Sequence, residues 1–238
     1  MLSTTRRVLT QLSHDHRTVA LMLLMPSVLV GLFAWMFSGG TTYQRIGPVM
    51  LALFPFILMF IVASITTLRE RQSGTLEHLM TTPLGTASLI FGYAIAFSIF
   101  AIVQTLITVA FAIWVCGLDV AGPTWQLFLI AIVNAITGTA LGLFVSAFAR
   151  SEFQAVQFLP LFVFPQIILG GVFMPRGQMP DVLQWIARIF PLTYAIDAVS
   201  KVARATAGWE LWRPVIVLAG FAVLSLVLAS LTLPRRTE

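Results

Sequence analysis

Residues 88–115 read SLIFGYAIAFSIFAIVQTLITVAFAIWV, 28 consecutive positions without one Asp, Glu, Lys or Arg. A helix of about 20 residues crosses the hydrocarbon core of a bilayer, so this stretch crosses with residues to spare. A central charge costs about 2.5–3.5 kcal/mol on the insertion scale, which gives the absence its weight. The pattern repeats outward in both directions. Towards the amino end lie Val19 to Phe37 and Val49 to Leu68; towards the carboxyl end lie Trp125 to Ala149, Val156 to Met174 and Val215 to Leu233, all free of charged residues.

The whole chain of 238 residues is 58% hydrophobic and only 10% charged, against about 25% charged in a soluble domain. The expected fold is all-α: a polytopic membrane protein with six transmembrane helices, an N-terminal interfacial helix and external re-entrant half-helices between the fifth and sixth spans. A single domain over 1–238 divides into the interfacial helix (1–18), the first two spans (19–68), a connector (69–87), spans three to five (88–174), a re-entrant connector (175–214) and the last span with its tail (215–238). Such spans leave no room for a separate enzymatic domain.

Net charge is +5, but the basic residues are scattered over connectors and tails, which speaks for membrane topology and against nucleic acid. Arg6, Arg7, Arg17, Arg69, Arg71, Arg150, Arg235 and Arg236 fall on one side of the six-span arrangement. The short connectors of the other side hold Arg45 alone; its long last connector, which counts less, holds Arg176, Arg188, Lys201, Arg204 and Arg213. Both termini are therefore expected in the cytoplasm, and the location is a bacterial inner membrane. The first apolar run is too long for a cleaved signal peptide. Ahead of it, Val8, Leu9 and Leu12 share one face with polar residues elsewhere, the pattern of an interfacial helix.

Two connectors are more than turns. In residues 67–84, Ser73 or Thr75 suits a helix cap, Glu77 suits the positive helix start and Pro83 limits continuation. Leu76, Leu79 and Met80 then share one face, an apolar knob flanked by charges. Residues 182–190 form an apolar helical stretch between Pro180 and Pro191, too short to span, and the following segment interleaves Ala195, Ile196, Val199 and Val202 with Asp197, Lys201 and Arg204, as an interfacial helix does.

Glu70-Arg71 followed by Gly74-Thr75-Leu76-Glu77, then Leu79 and Pro83, resembles the segment between the second and third spans of type-2 ATP-binding-cassette (ABC) exporter permeases, including the daunorubicin-resistance-like group. Gly170-Gly171-Val172-Phe173-Met174-Pro175-Arg176, leading through Pro180 and Trp185 to Pro191-Leu192-Thr193-Tyr194, also resembles that family. The resemblance implies that Glu70, Arg71, Gly74, Thr75, Leu76, Glu77, Leu79, Met80 and Pro83 form a coupling helix against an ATPase. It also implies that Gly170, Gly171, Pro175, Arg176, Pro180, Trp185, Pro191, Thr193 and Tyr194 belong to an external gate. Two cytoplasmic ABC ATPase subunits, carrying the ATP and Mg, and a second copy or a related permease are the implied partners, along with membrane lipids.

No phosphate-binding G-x-x-x-x-G-K-[ST] loop occurs, so no cofactor is expected in this chain and ATP hydrolysis is assigned to a separate polypeptide. Cys116 is the only cysteine, and His14 and His16 lack further ligands, so no metal site is expected. Nothing has the spacing of an activated nucleophile. Inside the spans, Gln104, Asn134, Thr137, Thr139 and Gln166 are the polar residues suited either to cargo contact or to interhelical hydrogen bonds.

The expected function is thus ATP-driven export of a hydrophobic drug or lipid-like amphiphile. Export of a polysaccharide or lipid-linked glycan is the alternative within the family. An ATP-independent secondary carrier is the alternative outside it, disfavoured by the lack of ionisable residues in the spans.

Overall fold

The computed structural model describes residues 2–38, 40–72, 86–174 and 176–232. Its helices are α1 (Leu2–His14), α2 (His16–Met36), α3 (Thr41–Gln72), α4 (Thr86–Trp114), α5 (Thr124–Ser146), α6 (Glu152–Phe162), α7 (Phe164–Leu169), α8 (Asp181–Ala187), α9 (Pro191–Ala203) and α10 (Trp209–Thr232), with a short 3-10 turn at Arg176–Gln178. No strand occurs among the described residues. α2, α3, α4, α5, α10 and the pair α6 with α7 are long and apolar enough to cross a membrane. Large side chains such as Leu21, Val28 and Leu32 on α2 and Val223 and Leu231 on α10 stay exposed, as a surface solvated by lipid requires. The protein is a multi-pass, all-α membrane protein.

α3 and α5 form the spine. They run in parallel with a constant register: Asn134 donates to Ala52 O at 2.5 Å, a methyl group on Gly138 would stand 2.5 Å from Phe56 O, and one on Gly142 would meet Phe60 O closer still. Each step is four residues on both helices, so one face of α5 lies directly on the α3 backbone. Gly138 and Gly142, small residues four apart, thus permit close approach of two helices within the chain. Pro55 sits in this stretch of α3, where it removes one backbone donor. On the other side of α5, Thr137 Oγ1 lies 2.8 Å from Val133 O and 3.4 Å from Leu218 O of α10. α2 closes over α4, with Ser27 donating to the Thr108 hydroxyl at 3.3 Å.

α3 has 32 residues, about 48 Å of helix, and outruns the apolar stretch from which its span was read. Its polar ends remain helical because they bond to neighbours. Near the start, Gln44 donates to Gly117 O at 2.9 Å and accepts from Asp119 N at 2.7 Å; the other end is described below.

α1 is helical and amphipathic, as expected, and it also docks on the bundle, with Val8 buried in a cluster with Met22, Met59 and Tyr93. One element differs from expectation. α9, read from sequence as interfacial, is packed inside. Leu192, Ala195, Ile196, Ala198, Val199 and Val202 are all buried against α3, α5 and α10. Its alanines permit close approach on that face, and its charged residues gather on the other. α8 and α9 are bent by 97° at the break before Pro191.

Candidate functional site

The described part of the first connector is the last turn of α3, and each of its four residues reaches a different partner. Arg69 makes a forked pair with Glu152 at the start of α6, at 2.6 and 2.9 Å. Glu70 is buried and accepts from Arg7 of α1 at 2.8 Å. Arg71 donates to Ser146 O, at the end of α5, at 2.5 Å, satisfying a carbonyl that the helix terminus leaves open. Gln72 donates to Arg150 O at 2.8 Å.

Tyr93 of α4 completes the buried cluster: its hydroxyl donates to Glu70 and accepts from Arg7 at 2.6 Å. Thr5 of α1 donates to Gly92 O at 3.1 Å. α1, α3, α4, α5 and α6 thus meet within one turn of helix, immediately before residue 73. Gly74, Thr75, Leu76, Glu77, Leu79, Met80 and Pro83, to which the resemblance gives the coupling role, lie outside the described residues. Arg7, Arg69, Gln72 and Tyr93 were not singled out from the sequence. Arg7 and Arg69 were counted only as topology signals, and a contact such as that from Arg7 to Tyr93, 86 positions apart, leaves no local pattern.

At the opposite end, the Gly170-Gly171 turn follows from local space and conformation. A methyl on Gly170 would stand 2.8 Å from Ile196 Cδ1, and Gly171 has φ +95°, a region that favours glycine. The turn leads into a cavity of about 750 Å³ whose wall includes Gly170, Gly171, Phe173 and Arg176 together with Arg45 and Asp197. An adjoining cavity of about 320 Å³ is lined by Arg188, Tyr194 and Arg213, and shares Arg176, Asp197 and Lys201 with the first.

Of the other residues to which the resemblance gives a gate role, Pro180 precedes α8 and Pro191 opens α9. Trp185 is exposed, with the Arg188 guanidinium 4.3 Å above its ring. Thr193 is fully buried, and Pro175 lies outside the described residues. Of the bases that line the larger cavity, Arg45 was read from sequence only as a connector charge, and Lys201 and Arg204 also as polar residues of an interfacial helix.

The polar residues of the spans mostly hold helices together. Asn134 and Thr137 join α5 to α3 and α10, as described, and Thr139 bonds back to Ala135 O at 3.1 Å. Gln166 donates to Phe162 O at 2.7 Å and accepts from Leu192 N at 3.2 Å, tying the broken fifth span to an otherwise open amide at the start of α9. Gln104 differs: it is fully buried, and neither atom of its amide has a partner among the described residues. No group of three or more His, Cys, Asp or Glu suited to a metal occurs among the described residues.

Residues 1–203 match the model of the ABC-2 type transporter family. The chain belongs to that family. Its relatives include the probable multidrug ABC transporter permease YbhR of Escherichia coli (strain K12), 29% identical over 155 residues, which are 65% of this chain and 42% of that protein. The linearmycin resistance permease protein LnrN of Bacillus subtilis (strain 168) is 25% identical over 63% of this chain and 38% of its own length. ABC transporter G family member 20 of Dictyostelium discoideum is 26% identical over 81% of this chain and 27% of its own length. The chain thus spans less than half the length of these ABC-2 relatives.

Proposed function

We propose that this chain is the membrane permease of an ABC exporter that moves a hydrophobic drug or lipid-like amphiphile outward. α1 and residues 73–85 face the cytoplasm. ATP and Mg belong to a separate ATPase, two copies of which serve a pair of permeases made of two copies of this chain or of this chain and a related one. The names of two relatives as multidrug and linearmycin resistance permeases favour a drug-like cargo over a glycan.

The observation that carries the reading is the set of bonds from Arg69, Glu70, Arg71 and Gln72 to α6, α1, α5 and the turn at Arg150. A push on residues 73–85 enters the bundle through these bonds, and a rearrangement of spans by an external motor needs such a junction. In this reading Glu70 and Arg71 position the connector, while Leu76, Leu79 and Met80 meet the ATPase. Gln104, with its unpartnered amide, is the pathway residue this reading favours.

The test is purification of the tagged chain from its own cells. An ABC ATPase is expected to accompany it, and Leu76→Asp is expected to lower that recovery by about tenfold, a cost of about 1.4 kcal/mol, with membrane insertion unchanged. Transport by the chain alone in vesicles, driven by an ion gradient, would overturn the proposal.

A further inference from the structure

The basic residues of the end opposite α1 are gathered around the two cavities described above. Arg45 from α3, Arg176 from the 3-10 turn and Lys201 and Arg204 from α9 line the larger one; Arg188 and Arg213 join Arg176 and Lys201 around the smaller. Asp197 is the one carboxylate on either described wall, and it is already shared by Arg176 at 3.4 Å and Lys201 at 3.0 Å. Arg45, Arg204 and Arg213 have no ion pair among the described residues. Cations crowded on a concave wall repel one another and focus a positive field into the cavity. An anion offsets that repulsion, and guanidinium groups match phosphate oxygens in pairs.

The larger cavity is also lined by Ile46, Val49, Val172 and Phe173, and Phe173 is 77% exposed. Its 750 Å³ falls within the ordinary range for small-molecule sites. A ligand that satisfies both walls carries an anionic head and an apolar tail. We propose that these adjoining cavities form a binding site for a phosphate-class anionic group, presented to them as the headgroup of a membrane amphiphile. Arg45 and Arg204, exposed and unpaired, make the first contacts, and Phe173 lies beside the chains. The site accounts for a connector rich in bases on the side where few are expected, and it stands whether or not the chain works with an ATPase.

The full chain in neutral detergent is titrated with dioleoyl phosphatidylglycerol or with dioleoylglycerol, which lacks the phosphate, and bound lipid is counted by native mass spectrometry. The anionic lipid is expected to bind about tenfold more tightly, and Arg45→Gln with Arg204→Gln is expected to remove about that advantage, since two exposed charge contacts together are worth about a factor of ten. The same charge loss at the other end, Arg6→Gln with Arg17→Gln, is expected to change nothing. Both pairs are exposed, and unchanged thermal midpoints verify folding. Excess inorganic phosphate separates the two sources of the anion: failure to displace the lipid supports the amphiphile, whereas displacement that depends on Arg45 and Arg204 keeps the anion site and removes the lipid from it. Equal binding of the two lipids, or equal loss from both variant pairs, overturns the proposal.

Discussion

At the end of the bundle that carries α1, the side chains of Arg7, Arg69 and Arg71 each reach an acceptor within 2.9 Å. At the other end those of Arg45, Arg204 and Arg213 reach none among the described residues and surround cavities. One residue type serves two purposes. A guanidinium bonded to another element fixes the distance between them and transmits displacement. An unbonded one on a concave wall keeps its donors for a ligand. The difference lies in the carboxylates and open carbonyls that the fold supplies: Glu70, Glu152 and the α5 terminus at one end, Asp197 alone in the cavities at the other.

This contrast has functional meaning only if the two ends belong to one rigid body, and the α3 and α5 spine is what joins them. Gly142→Leu is the severest way to break it, because the new side chain meets Phe60 O, which belongs to backbone and has no rotamer to yield. The expected loss is about 3 kcal/mol, read as a lower thermal midpoint in detergent. Gly220→Ala is the control. Nothing lies within 4 Å of its added methyl, so about 0.5–1 kcal/mol of stabilisation is expected from helix propensity. Equal effects would show that the spine is not the close contact described.

A smaller effect is expected where charge is paired and buried. Glu70→Ala removes the only ion pair of the Arg7 guanidinium among the described residues, leaving it the Tyr93 hydroxyl, and should cost about 2 kcal/mol, less than a fully buried pair because Arg7 is 32% exposed and water reaches it. Arg7→Ala leaves the buried carboxylate with Tyr93. A double-mutant cycle on the pair should give a coupling of about 1–2 kcal/mol. Additive losses would mean that the two side chains stabilise the bundle independently and that α1 is not latched through Glu70.

The span count and the amphipathic face of α1 were legible in the sequence because each is a local periodicity in apolar residues. The Gly170-Gly171 turn was not: the apolar run continues to Met174, and the two glycines were singled out only through the family resemblance, whereas the helix ends at Leu169. Nor was the packing of α9. Ala195, Ile196, Val199 and Val202 among charged residues read equally well as a helix on a membrane surface, and only contact with α3, α5 and α10 decides for burial. The charge networks were hidden for a different reason. Composition records how many arginines a connector carries but not whether an acceptor stands opposite, and Glu70 finds Arg7 across 63 positions. Gln104, Asn134, Thr137 and Gln166 looked alike as polar residues in apolar spans, yet three of them bond helices together and one is left with an open amide.

The smallest expected effects sharpen the contrast most, because their signs differ. Arg69 and Glu152 are 64% and 45% exposed, so Arg69→Ala should destabilise by less than about 1 kcal/mol. Arg204→Gln removes no bond; it relieves repulsion from Arg45, Arg176 and Lys201, and at low salt should leave stability unchanged or raise it by up to about 0.5 kcal/mol. Salt screens both kinds of interaction over about 10 Å at 0.1 M. The two thermal midpoints should therefore approach that of the unaltered protein from opposite sides as ionic strength rises, with no anion of the phosphate class in the buffer. If Arg204→Gln instead destabilised the protein at every salt concentration, its guanidinium would be a structural contact, and the far end would be built by the same rule as the end that carries α1.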